Sequence, residues 1–241
     1  MRTPVRVLCL TCSLLTAHFS LLTSQNRPTT FTTDLGFVNA AGNTSVTSFN
    51  LGEVLTHTSG AWKLQQTFAA LYGRTDGEKS AEQFRAGLRG DYALSERGGL
   101  YGLVGWDRNE FAGISRRFEE GLGVALQAIA EERTELAFEA GVSATQQVNT
   151  ADERSSFLSG RGAGRFKQFV AAKAYVQQRL ELLSNVDASD DYQIFSETSL
   201  VAPLSAAIGL KAAYVIRFDN VPELGFVKSD RVLTTGVQVN W

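Results

Sequence analysis

Few side chains in this chain are of the types that make or break bonds, and their spacing argues against most such chemistry. Of the 241 residues, two are histidine and two are cysteine. His57-Thr58-Ser59-Gly60 sets a base next to hydroxyls, the minimum for a nucleophile with its general base. Successive residues of an extended segment point to opposite faces, so His57 and Thr58 cannot work together. His57 reads as a polar residue beside a turn, and no catalytic residue is expected. Cys9 and Cys12 both lie in the first 24 residues, and no His/Cys cluster has the spacing of a zinc or redox-metal site. Asp187, Asp190 and Asp191, with Glu223 and Asp230, carry enough carboxylate to gather Ca²⁺, although acidic loop residues are ordinarily just solvated. Gly160-Arg-Gly-Ala-Gly164 has the glycines of a phosphate loop but lacks its lysine and opens no helix. No metal and no cofactor are therefore expected.

What remains is charge at regular spacing. Lys63, Arg85, Arg89, Lys173, Arg179, Lys211 and Arg217 stand against Asp91, Glu119, Glu135, Glu139, Glu181 and Glu197. Each alternates with apolar neighbours. Around residue 88, Phe84, Ala86, Leu88, Gly90, Tyr92 and Leu94 point one way, while Gln83, Arg85, Gly87, Arg89 and Asp91 point the other. That period of two belongs to β-strands. With the apolar faces toward lipid, the charged faces line a lumen whose seven basic and six acidic groups nearly cancel, which predicts weak ion selectivity. Glu53 and Glu120 fall in phase with apolar neighbours. Glu120 lies near a strand end, and Glu53 predicts a bulge or shifted phase in the second strand.

The elements that must position these charges are legible from the carboxyl end. In Leu233-Thr-Thr-Gly-Val-Gln-Val-Asn-Trp241, Leu233, Thr235, Val237, Val239 and Trp241 share one face, and the chain stops on an aromatic residue. This reads as the closing strand of a transmembrane barrel, in which no backbone edge faces lipid. Gly236, Val239 and Trp241 also fit the terminal signal read by the barrel-assembly machinery. Alternating segments bounded by turn residues place strands at about 30–39, 44–57, 61–73, 83–94, 99–107, 116–127, 133–146, 156–166, 169–183, 191–201, 205–219 and 233–241. The fold class is all-β, an antiparallel up-and-down transmembrane barrel of twelve strands, with ten or fourteen as alternatives. An even count puts both termini on one side, and alternate connections read as short and long. In the 169–183 strand, Lys173 takes the polar phase with Arg179 and Glu181. The 156–166 segment is rich in glycine and ambiguous in phase, and the 99–107 segment alternates weakly.

A soluble barrel or sandwich shows similar strands with the apolar face inward. Charges on the opposite face, with Phe31, Trp62, Tyr72, Tyr92, Phe118, Tyr192, Phe218 and Trp241 near strand ends, favour a membrane barrel with two aromatic girdles. At twelve strands the lumen is expected to be a narrow passage partly crossed by ion pairs. The same pairs would equally brace a barrel that conducts nothing.

Residues 1–24 form a separate unit. Arg2 and Arg6 precede a short, interrupted apolar run to Leu22, followed by Thr23-Ser24-Gln25, the pattern of a cleaved secretory leader rather than a membrane helix. The predicted mature chain, 25–241, contains no cysteine and so no disulfide. Without Arg2 and Arg6 it carries 21 basic and 25 acidic residues, a net charge of −4, which excludes the basic surplus expected of a nucleic-acid binder. Hydrophobic residues make up only 44%, as suits strands that turn half their side chains toward a polar lumen.

Several blocks together resemble the salt-induced outer-membrane protein family, the domain of unknown function numbered 481. They are Gly42-Asn-Thr-Ser45, Trp62, Arg89-Gly-Asp-Tyr-Ala-Leu-Ser-Glu-Arg97, Trp106-Asp-Arg-Asn-Glu-Phe-Ala-Gly-Ile-Ser-Arg-Arg117 with Gly121-Leu-Gly123, and Trp241. The resemblance implies an outer-membrane barrel linked to salt or osmotic conditions and supplies no catalytic residues. The expected function is a monomeric, narrow, weakly selective channel in the bacterial outer membrane. Its expected partners are outer-membrane lipids, lipopolysaccharide and the assembly machinery. The alternative is a structural barrel, or one that binds or modifies lipid. Asp107, Arg108, Arg116 and Arg117 are expected to cluster at the mouth.

Overall fold

A computed structural model describes residues 28–40 and 45–241; the expected leader, with Cys9 and Cys12, lies outside them. Twelve strands follow one another: β1 (Thr29–Ala40), β2 (Val46–Ser59), β3 (Trp62–Thr75), β4 (Glu78–Ala93), β5 (Gly98–Asn109), β6 (Ile114–Ala130), β7 (Thr134–Asn149), β8 (Arg154–Phe169), β9 (Tyr175–Asn185), β10 (Tyr192–Pro203), β11 (Ile208–Asp219) and β12 (Ser229–Asn240). Each pairs antiparallel with its neighbours in sequence, and β12 returns to β1 to close the barrel. At the seam Thr32–Leu35 run against Val237–Asn240, and the Trp241 amide donates to the Phe31 carbonyl at 2.9 Å. Closing the sheet on itself is what a chain surrounded by lipid requires, although the β1–β12 ladder is short and ends at Leu35 and Val237.

The pleat separates the side chains as the alternation predicts, with the apolar ones outside. Leu88 is 57% exposed, Leu122 65% and Phe138 50%, while Tyr101 and Glu139 on the inner face are 3% and 8% exposed. A water-soluble barrel has the reverse arrangement, so this exterior is that of a membrane-spanning barrel. Aromatic side chains mark both ends of the apolar band. Trp62 and Tyr92 pack at 4.9 Å near the end that holds the termini, and Tyr192 and Phe218 at 5.8 Å near the other.

Several strands run further than their alternation announces, and this corrects three expectations. Arg74–Lys79 is not a long loop. β3 and β4 continue into a two-residue hairpin at Asp76 (φ 51°) and Gly77 (φ 83°), the positive-φ pair that matches strand twist. The predicted contrast of short and long connections is correspondingly weaker, and only 186–191 and 220–228 stand out. β8 extends to Phe169 and β9 begins at Tyr175, so Lys173 sits exposed in the turn between them rather than along the lumen.

The second strand contains no bulge. β2 stays in register with β3 from Val46 to Ser59, which sets Glu53 on the outer face opposite Thr33 and Phe68. Glu120 also faces outward, between Phe118 and Leu122 and opposite Val104 and Ala144. An outward carboxylate halfway along a strand is paid for in stability, though by less than the ~2–4 kcal/mol of a midplane Lys or Arg. Glu53→Leu is expected to stabilise the barrel by about 1 kcal/mol, read as a higher urea midpoint in detergent micelles. An unchanged or lower midpoint would show that the carboxyl reaches water or a polar headgroup.

Candidate functional site

Inward-facing charge concentrates about halfway along the lumen. Glu139 of β7 accepts hydrogen bonds on Oε2 from Arg89 Nη1 at 2.9 Å and Arg161 Nη1 at 2.8 Å, and Arg165 Nη2 lies 3.3 Å from Oε1. Arg89 also donates to Asp91, and Arg161 Nε to Glu181 at 3.0 Å. The cluster joins β4, β7, β8 and β9, so it crosses the interior instead of running along one wall. Tyr101 of β5 completes it. Its hydroxyl accepts from Arg161 at 2.8 Å, and the Arg89 and Arg161 guanidinium carbons stand 4.4 and 5.2 Å from its ring centroid. The Tyr101 hydroxyl can lie against β6 and β7 because Gly123 and Gly141 face each other there. A Cβ on either glycine would come within 2.7 Å of the Tyr101 hydroxyl.

Toward the end away from the termini, the lumen opens into a cavity of about 310 Å³. Arg117 donates to Asp107 at 2.8 Å and to Gln193 at 3.2 Å, bridging β6 to β10. Arg217 of β11 donates to Gln83 Oε1 of β4, again across the lumen. Arg85 of β4 stands 5.5 Å from the ring centroid of Phe195, on the strand six places away in a ring of twelve. The 220–228 connection folds in over this chamber. Gln147 and Asn149 donate to Glu223 at 2.6 and 2.8 Å, and Pro222, Val227 and Lys228 line the cavity.

On the side of the termini, Lys211 donates to Asp34 at 2.5 Å and lies 3.8 Å from Glu197, which in turn is 3.7 Å from Arg179. Gln238 donates to Asp34 at 2.9 Å, so β12 is tied to β1 through a side chain as well as the ladder. Lys63 is in register with Asp91, and Glu119 accepts from Ser143 at 2.7 Å. Of the lumen residues named from the sequence, Arg89, Asp91, Glu139 and Glu181 join the central cluster. Arg85, Arg179 and Arg217 surround Phe195, Lys211 belongs to the seam group, and Lys173 is absent from the lumen. Gly236 and Val239 lie in β12 with Trp241 directly after it; Gly236 abuts the β1 backbone, and a Cβ there would come within 2.0 Å of the Leu35 carbonyl oxygen.

Sequence reasoning missed Arg161, Arg165, Tyr101, Phe195 and Asp34. Arg161 and Arg165 share the phase of Lys167, whose Nζ lies 3.3 Å from Glu135. The Trp106–Arg117 block divides instead of clustering at the mouth: Asp107 and Arg117 turn inward, and Arg108 pairs outside with Glu110 and Glu82. The hydrogen bond from Arg108 holds the Glu110 carboxyl below its ordinary range. His57 lies exposed on the outer face, where its Nδ1 and Thr29 Oγ1 are 2.8 Å apart. Among the described residues no group of three His, Cys, Asp or Glu is placed to hold a metal. No helix there is long and apolar enough to cross a membrane.

A family model described as "Protein of unknown function, DUF481" matches residues 33–241. The chain belongs to that family, as the Trp106–Arg117 block and terminal Trp241 had indicated. The Escherichia coli (strain K12) "Uncharacterized protein YdiY" is 23% identical over 202 residues, covering 83% of this chain and 77% of the relative. Among solved structures, the NanC porin aligns with a TM-score of 0.49 at 7% identity, over 88% of this chain and 97% of its own. The translocator domain of autotransporter NalP from Neisseria meningitidis aligns at 0.48 and 13%, over 88% and 86%.

Proposed function

We propose that this DUF481 member is a bacterial outer-membrane barrel whose lumen forms a narrow, weakly selective passage, throttled where Arg89, Glu139 and Arg161 meet. The supporting observation is the position of that cluster. It spans four strands midway along the lumen, below a chamber lined by both signs of charge. A solute must pass between guanidinium and carboxylate groups whose charges nearly cancel, which favours small conductance over strong selectivity. The termini and shorter turns face the periplasm in this reading, and 220–228 folds over the outer mouth. The barrel works as a monomer without a catalytic step. Its exterior meets outer-membrane lipids and lipopolysaccharide, and its last strand is handed over by the assembly machinery.

A link to salt or osmotic conditions has a physical form here, since raising ionic strength from 0.1 to 1 M shortens the screening length from about 10 to about 3 Å and loosens water-exposed pairs. The crossing ion pairs also favour a second reading, an envelope barrel braced from within that passes nothing. The two separate in planar bilayers. The first predicts discrete small steps from purified barrels, growing more than in proportion to salt, and larger steps from Arg161→Ala. Correctly folded barrels that stay silent at every salt concentration would leave the structural reading.

A further inference from the structure

Carboxylates satisfy most cations of the lumen, but not those around Phe195. Its ring centroid lies 5.5 Å from the Arg85 guanidinium carbon, 5.8 Å from that of Arg179 and 5.9 Å from that of Arg217. Among the described residues Arg85 makes no hydrogen bond or ion pair, and no carboxylate lies within 4.0 Å of Arg217. Arg179 has only Glu197, at 3.7 Å. The nearby acids are committed or set back. Asp107 takes two bonds from Arg117, Glu181 is held by Arg161, and Asp219 accepts from Gln193. Asp230 is the register partner of Arg217 without forming an ion pair with it.

Two buried donors, one beside this trio and one within it, are also unmatched. Gln83 is 7% exposed, and its Nε2 finds no acceptor among the described residues, and neither does the buried Arg217 Nε. Gln83, Arg85, Arg179, Phe195 and Arg217 all line the chamber under the 220–228 connection. Leaving buried donors unmatched is costly, and three guanidinium groups around one ring repel each other unless an anion sits among them.

We propose that this chamber is a binding site for a small organic oxyanion, a carboxylate or phosphate monoester. Arg85, Arg179, Arg217 and the Gln83 amide donate to the anionic group, and Phe195 carries its apolar part. At ~30 Å³ per water, the chamber holds about ten waters, the size of a single sugar or tricarboxylate. The site goes beyond the passage reading and does not need an open pore, because its ligand enters from one end.

The test is calorimetric titration of the purified full chain in detergent with glucose 6-phosphate, citrate and inorganic phosphate, with glucose as the neutral control. Saturable binding of at least one anion is expected, weakening as salt rises and at least tenfold weaker in Arg85→Gln and in Arg217→Gln. Arg97→Gln, in the β4–β5 turn, should bind as the parent does. The electrophoretic shift between folded and boiled samples verifies each variant. Binding of glucose 6-phosphate without citrate assigns a phosphate site, and the reverse a carboxylate site. Absence of saturable anion binding, equal binding of glucose, or binding unchanged in both arginine variants would overturn the proposal. Silent bilayers with intact anion binding would fail the passage reading alone.

Discussion

Glu139→Ala is expected to cost the barrel about 3 kcal/mol, the lower end of the range for removing one partner of a buried ion pair. One carboxylate, with its side chain 4% exposed, faces guanidinium groups whose side chains are 13% exposed (Arg89) and 6% exposed (Arg161). Its removal leaves both without their shared partner. Arg89 keeps Asp91 and Arg161 keeps Glu181, which holds the loss to the lower end. Arg165, 38% exposed, adds little because water screens it. The measurement is the urea midpoint of the purified chain in lipid–detergent micelles. Glu139→Ala combined with Arg161→Ala should recover part of the loss, because the double variant removes the unmatched charge too. In a conducting barrel the single variant should also shift reversal potentials toward anions. A change below ~0.5 kcal/mol, the size of an ordinary surface substitution, would mean that lumen water already screens the cluster.

The fold was legible because every strand needs one apolar and one polar face, and a period of two survives any uncertainty at its ends. Strand count was therefore accessible, and so was the phase of the strongly alternating strands such as β4, whereas boundaries were not. Arg74-Thr-Asp-Gly-Glu-Lys reads as a loop by composition. Polar residues beyond the apolar band cost nothing, however, so the β3–β4 ladder continues through them to a two-residue turn. The same ambiguity misplaced Lys173: Lys167-Gln168 looks like a turn but pairs with Glu135 and Thr134. Glu53 shows the opposite error. An unbroken register, which spans the whole of β2, outweighed the cost of one outward carboxyl.

The lumen was legible as a set of residues but not as an arrangement. Alternation says that Arg85, Arg89 and Glu139 face inward. It is silent on which strands face each other across the ring, and therefore on the Arg89–Glu139 pair and the Arg85–Phe195 approach. Arg161 and Arg165 were lost for a local reason. Gly160, Gly162 and Gly164 occupy three successive outward positions of β8, so between Leu158 and Phe166 the apolar half of the alternation is missing and the phase had no clear marker. A charge tally, which counted Lys173 and missed Arg161, Arg165 and Asp34, is also blind to distribution: Glu139 is shared by three arginines and Arg85 is paired with none.

Gly236→Ala is expected to destabilise the closing seam by at least ~3 kcal/mol, the upper part of the usual cost of overpacking, and Gly236→Val to prevent closure. Beyond Leu35 and Val237 the two strands leave their ladder and press together. A Cβ at Gly236 would lie 2.0 Å from the Leu35 carbonyl oxygen and 2.7 Å from its carbon, and one at Gly36 would lie 2.5 Å from the Thr235 carbonyl oxygen. These obstructions are backbone atoms, which cannot rotate aside, so an added methyl must push β1 from β12. Gly162→Ala is the matched control. It lies on an outward strand face with nothing within 4 Å of its Cβ position, and it should change stability by less than ~0.5 kcal/mol. Refolding in detergent without assembly factors, followed by the folded-to-boiled electrophoretic shift and urea titration, isolates the steric effect. If Gly236→Ala refolds with parental stability but fails to reach the membrane in cells, the glycine acts through the assembly signal and the close seam contact is tolerant.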